Sequence, residues 1–446
     1  MKSMAFVSGN RAFRRRLLNA FRVCLCGAFV LLQIPLAANA ETEQNSGERL
    51  SVRTPTMREK VYKTLSEAQE KAEANQTAEA IAILDRMQNL GGLNSYEAAM
   101  MWKFYAFIYY SQENYDDAIQ AYQNLLNQSD LPEALETEAL YNLGQLYFVR
   151  EDYKGAIKQL ERWFKVVTNP TPMAYVFLAQ AYYQTEEFGK ALKPAQEAVD
   201  IMEEQGNVPR EDWYLLLRAI HFKLNNYSAM ARVLEKLVKH YPKKSYWVQL
   251  SGIYGELKQK DKRLSAMEIA YRQNLLEEEK ELINLAQLFL LSEVPYKAAK
   301  VLEKGMKDGI IKEDEVNLRL LSNAWSMAQE VEKALPTLIQ AAKISDTGEL
   351  DVRLGQTYFQ LNKWEEAVTS FRKGLEKGEL DHADNAYMLL GLSLYNLDRL
   401  DDAIYTFRLV AKYNDSKDEA RRWIQYLEKE KERRELLAQS MRELES

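Results

Sequence analysis

Few side chains in this sequence are of the types that do chemistry, and their spacing keeps them apart. The three histidines, His221, His240 and His382, are scattered, and none has a second ligand at the helical or loop intervals that a metal ion requires. The two cysteines, Cys24 and Cys26, sit in an apolar N-terminal run, so no thiol is set beside a base. Neither a glycine-rich phosphate loop nor an HExxH motif occurs. Carboxylates are plentiful, yet adjacent pairs such as Asp116/Asp117 and Glu365/Glu366 fall in turns and read as solvated turn residues. Metal-assisted, nucleophilic and acid–base chemistry all lack a constellation. The chain therefore reads as a non-enzyme with no catalytic, cofactor-binding or metal site.

A different spacing governs the elements that carry these residues. Small residues recur in pairs twelve positions apart: Ala106/Ala118, Gly144/Ala156, Ala179/Ala191, Ala286/Ala298, Ser322/Ala334, Gly355/Ala367 and Gly391/Ala403. Arg218/Met230 and Ser251/Arg263 keep the register without the small residue, which makes nine copies. Successive copies are 33 to 39 residues apart, while the internal twelve is constant. A unit with fixed internal geometry and elastic joints is a helical hairpin repeated along the chain. Two antiparallel helices approach closely only where facing side chains are small, with large neighbours filling the gaps. Helix A carries such neighbours around its small residue, as in Trp102/Ala106/Tyr109, Leu140/Gly144/Tyr147 and Tyr175/Ala179/Tyr182. Helix B opens on an aromatic three residues before its alanine at Tyr115, Tyr153, Phe188 and Trp364. Pro132, Pro170, Pro209 and Pro242 fall near unit ends, where proline stops a helix.

This pattern resembles the tetratricopeptide repeat, whose period of about 34 residues and large–small–aromatic signature it matches. The resemblance implies an all-α superhelical solenoid. About ten repeats occupy 56–415: nine clear copies from Tyr96 to Asn414, and a degenerate first one from Thr56 to Asn89. The imperfect fifth and sixth copies, Arg218 to Arg263, are expected to pack less regularly and bend the superhelix. Thr56 with Glu59 is expected to form a capping box on the first helix. A charged helix over 416–446 should close the stack, with Trp423, Ile424 and Leu427 covering its end. Its run from Glu428 to Glu435 reads either as a solvated cap or as a partner-binding extension.

The flanks suggest a destination. Residues 1–40 combine a basic stretch (Arg11, Arg14, Arg15, Arg16, Arg22), an apolar run from Val23 to Leu36 and an Ala38-Asn-Ala40 cleavage site, the pattern of a secretory signal. The apolar run is shorter than the ~20 residues of a membrane span, so no stable span is expected after cleavage, although an uncleaved anchor is the alternative. Polar residues 41–55 read as a disordered leader. Cleavage removes six basic and no acidic side chains and so shifts formal charge from −6 to −12. It also removes both cysteines, which suits an oxidising compartment. An acidic chain without a basic block disfavours nucleic acid.

Function then lies in a surface. In helical register, positions one and four after the small residue, and the one three before it, should face the inner side. They are Phe107, Tyr110, Tyr141, Gln145, Phe148, Gln180, Tyr183, Phe222, Gln287, Gln356, Phe359 and Tyr395. Amides can hydrogen-bond an extended backbone while aromatics pack apolar side chains or proline rings. The expectation is a protein partner presenting an extended segment, a proline-rich one included, held in the groove of the second to fourth units. The same aromatics could instead fill the seams between repeats.

Several stretches resemble a narrower group, the periplasmic tetratricopeptide proteins that accompany TonB–ExbB–ExbD systems of Gram-negative bacteria. They are Ile108–Ile119 (IYYSQENYDDAI), Tyr246–Leu257 (YWVQLSGIYGEL), Pro295–Gly305 (PYKAAKVLEKG) and Arg422–Lys431 (RWIQYLEKEK). The resemblance implies a periplasmic, non-enzymatic scaffold serving outer-membrane uptake, with a TonB, ExbB or ExbD component as partner. TonB-like proteins carry proline-rich periplasmic segments, which would suit such a groove. An adaptor for outer-membrane protein insertion or cell-wall synthesis, and a cell-wall enzyme, are the open alternatives.

Overall fold

The computed structural model describes residues 56–445; the segments expected to be a signal and a leader, with both cysteines, lie outside the described residues. Among the described residues there are 21 helices and no strand. They fall into two compact units, one ending at Val233 and the other beginning at Leu234.

The first unit holds four complete helix pairs, each a helix A followed by a helix B. Repeat 1 is Glu59–Glu73 with Thr77–Leu90, repeat 2 is Ser95–Ser111 with Tyr115–Leu126, repeat 3 is Glu133–Val149 with Tyr153–Val166, and repeat 4 is Pro172–Gln184 with Phe188–Glu204. Repeat 5, Glu211–Lys223 with Tyr227–His240, contains the division between the units. The second unit continues with repeat 6 (Lys244–Glu256, Lys260–Arg272), repeat 7 (Glu279–Leu291, Pro295–Lys307) and repeat 8 (Glu315–Met327, Val331–Ile344). Repeat 9 (Glu349–Gln360, Trp364–Lys377) and repeat 10 (Ala383–Asn396, Leu400–Val410) follow, and a single helix, Lys417–Glu445, ends the chain. The architecture is an all-α repeat solenoid. The division falls inside the interval Arg218–Arg263, where the small-residue pairing lapses.

The constancy of the twelve has a backbone cause that no glycine announces. Seven positions after the small residue, every A–B turn places a non-glycine residue in the left-handed region. These are Glu113, Glu151, Glu186, Asn225, Lys258, Glu293, Gln329, Asn362 and Asp398, with φ between 55° and 64°. The N–H of the next residue then bonds to a carbonyl of the last helical turn at 2.8–3.0 Å, as from Asn114 to Tyr109 and from Val294 to Phe289. This is the Schellman arrangement, which ends helix A at a fixed point and starts helix B at once. Repeats 5 and 6 make the same turn, at Asn225 and Lys258, so their lapse in residue type does not loosen the hairpin connection. Connections from helix B to the next helix A share no one device: the same arrangement ends helix B at Gly206, Asn274 and Gly309, and others are built differently. They run from three residues (241–243) to seven (308–314), and these are the elastic joints. Pro132, Pro170, Pro209 and Pro242 all lie in them.

Side-chain packing reads the same register. Ser251 Oγ donates to the Arg263 carbonyl at 3.0 Å and Ser322 Oγ to the Ala334 carbonyl at 3.4 Å, twelve residues on in each case. Where helix A has glycine, the residue one turn further along helix B fills the space. A Cβ on Gly144 would meet Leu160 Cγ at 3.2 Å, and one on Gly355 would meet the Phe371 ring at 2.8 Å.

The first helix corrects one expectation. Its N-cap is Arg58, without a side-chain cap, rather than Thr56. Glu59 is drawn away by an ion pair with Lys63 at 2.7 Å, and the Thr56 carbonyl accepts from Asn94 Nδ2 at 3.3 Å. A complete capping box forms instead at Asn94 and Glu97, on helix A of repeat 2. At the other end, the Trp423 ring stacks on Phe407 with centroids 5.7 Å apart and planes 10° from parallel, and Ala420 and Leu427 are fully buried. Three cations bind the charged run to repeat 10: Arg408 pairs with Glu428 at 2.8 Å, Lys431 with Asp401 at 2.6 Å, and Arg434 with Asp398. Glu430, held by Arg433 and then Arg434, has its carboxyl drawn down to about 2.

Candidate protein-binding face of the helical repeats

Four of the six aromatics at the fourth position in this register do not stand free over a groove. Each packs on the aromatic that opens its own helix B: Tyr110 on Tyr115 (6.0 Å between ring centroids), Phe148 on Tyr153 (5.0 Å), Tyr183 on Phe188 (5.2 Å) and Phe359 on Trp364 (5.1 Å). These edge-on and tilted pairs clamp the A–B turn whose backbone the left-handed residue shapes. One side chain thus serves the hairpin and leaves part of its ring to solvent.

The twelve candidate residues sort by what surrounds them. Phe107 and Tyr110 are half-buried against the core of repeats 1 to 3. Tyr141 lies between Trp163 at 5.3 Å and Phe177 at 6.3 Å, and Phe148 packs on Phe177 at 4.9 Å. Phe148 is 5% exposed, which corrects its expected place on an open groove: Phe177, from helix A of the next repeat, closes over it. Tyr395 is likewise engaged by the final helix, with Trp423 at 5.8 Å and a hydroxyl contact to Tyr426 at 3.3 Å. Gln145 and Gln180 are half-buried, and the Gln180 Oε1 atom is enclosed without a donor. Phe222, Gln287 and Gln356 are the members of the set that face solvent, Phe222 with 51% of its surface exposed.

Sequence reasoning missed another group. Leu291 (72% exposed), Val316 (61%) and Met327 (57%) project from helices A of repeats 7 and 8 with no packing to explain them. Leu291 and Met327 each stand five positions after the small residue, so a tally of apolar residues at that position would have found them. Helices B carry exposed apolar side chains too, Tyr405 at 64% among them, so Leu291, Val316 and Met327 are a candidate interaction surface through their place on neighbouring helices A.

Polar residues of the helix A faces join one repeat to the next. Tyr182 donates to Glu161 and Tyr254 to Glu235, each at 2.5 Å and each reaching back to the preceding helix B. Burial first, and then the carboxylate, pushes both phenols well above the usual tyrosine value. His221 occupies the same slot in repeat 5. It is buried, its Nδ1 has no partner, and burial followed by the charge of Arg232 draws its pKa down, so the ring packs as a neutral imidazole. His240 is half-buried and His382 exposed. No group of three potential metal ligands occurs among the described residues, and no helix there is long and apolar enough to cross a membrane.

Stacked antiparallel hairpins with solvent-facing side chains on helix A define the class of helical-repeat scaffolds. The particular repeat is the tetratricopeptide repeat: two models of that family match, one over residues 96–167 and the other over 141–206 and 352–419. Proteins built on it serve as protein-interaction scaffolds. Among solved structures the chain is similar to the MamA protein (16% identity, 39% of this chain and 93% of that one, TM-score 0.33). It is also similar to YrrB, described as a tetratricopeptide protein with an unusual peptide-binding site (14% identity, 43% of this chain and 96% of that one, TM-score 0.34). A third is the TPR2AB domain of yeast Sti1 in complex with pHSP90 (13% identity, 59% of this chain and 98% of that one, TM-score 0.32). No curated protein matches the chain.

Proposed function

We propose that this protein is a periplasmic scaffold that binds an extended segment of a TonB–ExbB–ExbD energy-transducing complex and so serves outer-membrane uptake. The observation that carries the scaffold reading is the display of apolar and amide side chains, Phe222, Gln287, Leu291, Val316, Met327 and Gln356, on helix A with no packing role. The resemblance of 108–119, 246–257, 295–305 and 422–431 to accessory proteins of such complexes supports the choice of partner. The secretory pattern of 1–40 supports the compartment. A segment that is already extended, such as a proline-rich one, loses little conformational entropy on lying along helix A.

Photo-crosslinking in cells tests the reading. A crosslinkable residue in place of Tyr110, Tyr183 or Arg434 should yield adducts containing a TonB-, ExbB- or ExbD-like protein, identified by mass spectrometry. Recovery of adducts that contain none of the three would sink the choice of partner. The absence of any adduct would count against the scaffold itself.

A further inference from the structure

The final helix is longer than its place in the stack requires. Ala386 and Ala420 are both fully buried and 34 positions apart, so Lys417–Glu445 stands where helix A of one more repeat would stand. Helix A of repeat 10 ends at Asn396, whose counterpart in that register is Glu430, yet the final helix runs on to Glu445. At 1.5 Å per residue, the fifteen residues 431–445 reach about 22 Å further. Lys431 and Arg434 tie the start of this extension to Asp401 and Asp398 of repeat 10. From Glu435 to Met441 every residue is exposed, Leu436 at 60%, Leu437 at 50% and Met441 at 60%. Leu437 and Met441 are one helical turn apart on one face, and Leu436 and Ala438 stand to either side of Leu437.

Position and charge choose what covers this stripe. A further repeat does not fit, because the face that would meet its helix B is polar. Gln425 stands there, 34 positions after Gly391, among Arg421, Glu428 and Glu432, and all four are exposed. Residues 428–445 hold five basic and six acidic residues, too even a balance to draw the helix onto an anionic membrane or a nucleic acid. In a chain of formal charge −6, the same balance lets a second copy approach this stretch without strong net repulsion. The order of the signs is self-complementary. Arg433 and Arg434 precede the apolar residues, and Glu443 and Glu445 follow them. Antiparallel copies with Leu437 level with Met441 bring position 433 of one level with position 445 of the other, basic against acidic. A parallel pair would set like charges side by side.

We propose that residues 431–445 pair antiparallel with the same segment of a second copy. The contact is two-fold and centred at Gln439, with Leu437 of each copy on Met441 of the other. Two helices of this length bury less than the ~1,200 Å² of a stable interface, so the dimer is weak and follows concentration. It uses no side chain of helices A, and so stands apart from the partner surface proposed above.

Sedimentation velocity of the purified chain from about 1 to 300 μM tests the contact. The average mass should rise with concentration from that of a monomer toward that of a dimer. Leu437→Glu/Met441→Glu should raise the dissociation constant about tenfold or more and leave Tm unchanged, because the extension lies beyond the stack. Orientation is read from Leu437→Cys and Met441→Cys, each in a Cys24→Ser/Cys26→Ser background. Mixed and oxidised, they should form the 437–441 disulfide in preference to either same-residue disulfide. A monomer at every concentration, association beyond the dimer, or undiminished association of the double variant would overturn the proposal. So would a fall in the Tm of Leu437→Glu/Met441→Glu, which would mark a stripe packed within its own chain. Predominant same-residue disulfides would overturn the antiparallel pairing.

Discussion

Gly391 and Phe407 are two halves of one contact: a Cβ on Gly391 would stand 2.7 Å from Cε1 of the Phe407 ring. The pairing recurs in repeat 9, between Gly355 and Phe371, and a looser version in repeat 3 joins Gly144 to Leu160. Within a hairpin, then, the size of the residue on helix A is set by the residue sixteen positions later on helix B. The solenoid is a row of such local agreements.

Replacing Gly391 or Gly355 by alanine should therefore destabilise the second unit by about 1–3 kcal/mol, because a buried ring must move. Phe407→Leu in the Gly391→Ala background should recover part of the loss. Gly252→Ala, on a helix where a Cβ meets nothing within 4 Å, should instead stabilise by up to about 1 kcal/mol. Thermal denaturation of the four variants checks the set. A neutral Gly391→Ala would contradict the packing.

The left-handed residues of the A–B turns offer a gain. Glu186→Gly and Glu293→Gly should each stabilise by about 0.5–1 kcal/mol, since glycine meets no Cβ penalty at the φ of 61° and 58° found there. Valine at either position should destabilise by a larger amount. The Tm of each single variant decides it.

Asp351, 1% exposed, ties repeat 9 together through Lys377 at 2.7 Å and Lys373 at 3.0 Å. Lys377 Nζ also donates to the carbonyls of Ala342 and Ser345 at 2.9 and 2.7 Å, which staples repeat 8 to repeat 9. Lys377→Met should cost about 3 kcal/mol, because a buried carboxylate keeps only the half-exposed Lys373 and two carbonyls lose their donor. Adding Asp351→Asn should return part of it. Hydrogen exchange should show the loss confined to these two repeats.

Glu97 sets an acid limit on the first hairpin. Burial pushes its carboxyl up, but hydrogen bonds from the Arg58 side chain at 2.6–3.1 Å and from the backbone N–H groups of Arg58 and Asn94 outweigh it. The carboxyl is held below its ordinary 4.5, so the stability it confers is present above that pH and is lost as pH falls through and below it. Thermal denaturation across that range should show the fall in the native chain and a flatter profile in Glu97→Gln.

The candidate binding residues should separate into two behaviours. Phe148→Ala should cost about 3–5 kcal/mol, because it empties the seam between repeats 3 and 4. Phe222→Ala should leave Tm unchanged and weaken partner capture. A Phe222→Ala variant that unfolds, or that captures its partner normally, would remove that residue from the binding face.

The sequence by itself determined the repeat. A constant interval of twelve between Ala106 and Ala118, or between Gly355 and Ala367, is a statement about how closely two helices pass, and close approach tolerates few residue types. It determined the final helix as well, since Trp423 and Leu427 had to find an apolar surface. The twelve had a second cause that residue types hid, because the left-handed turn is met by Glu, Asn, Lys, Gln or Asp rather than by glycine. Helical register alone put Phe148 and Phe222 on the same face. Only the tertiary structure decided that Phe177 covers the first and leaves the second open, because burial depends on what the neighbouring repeat brings.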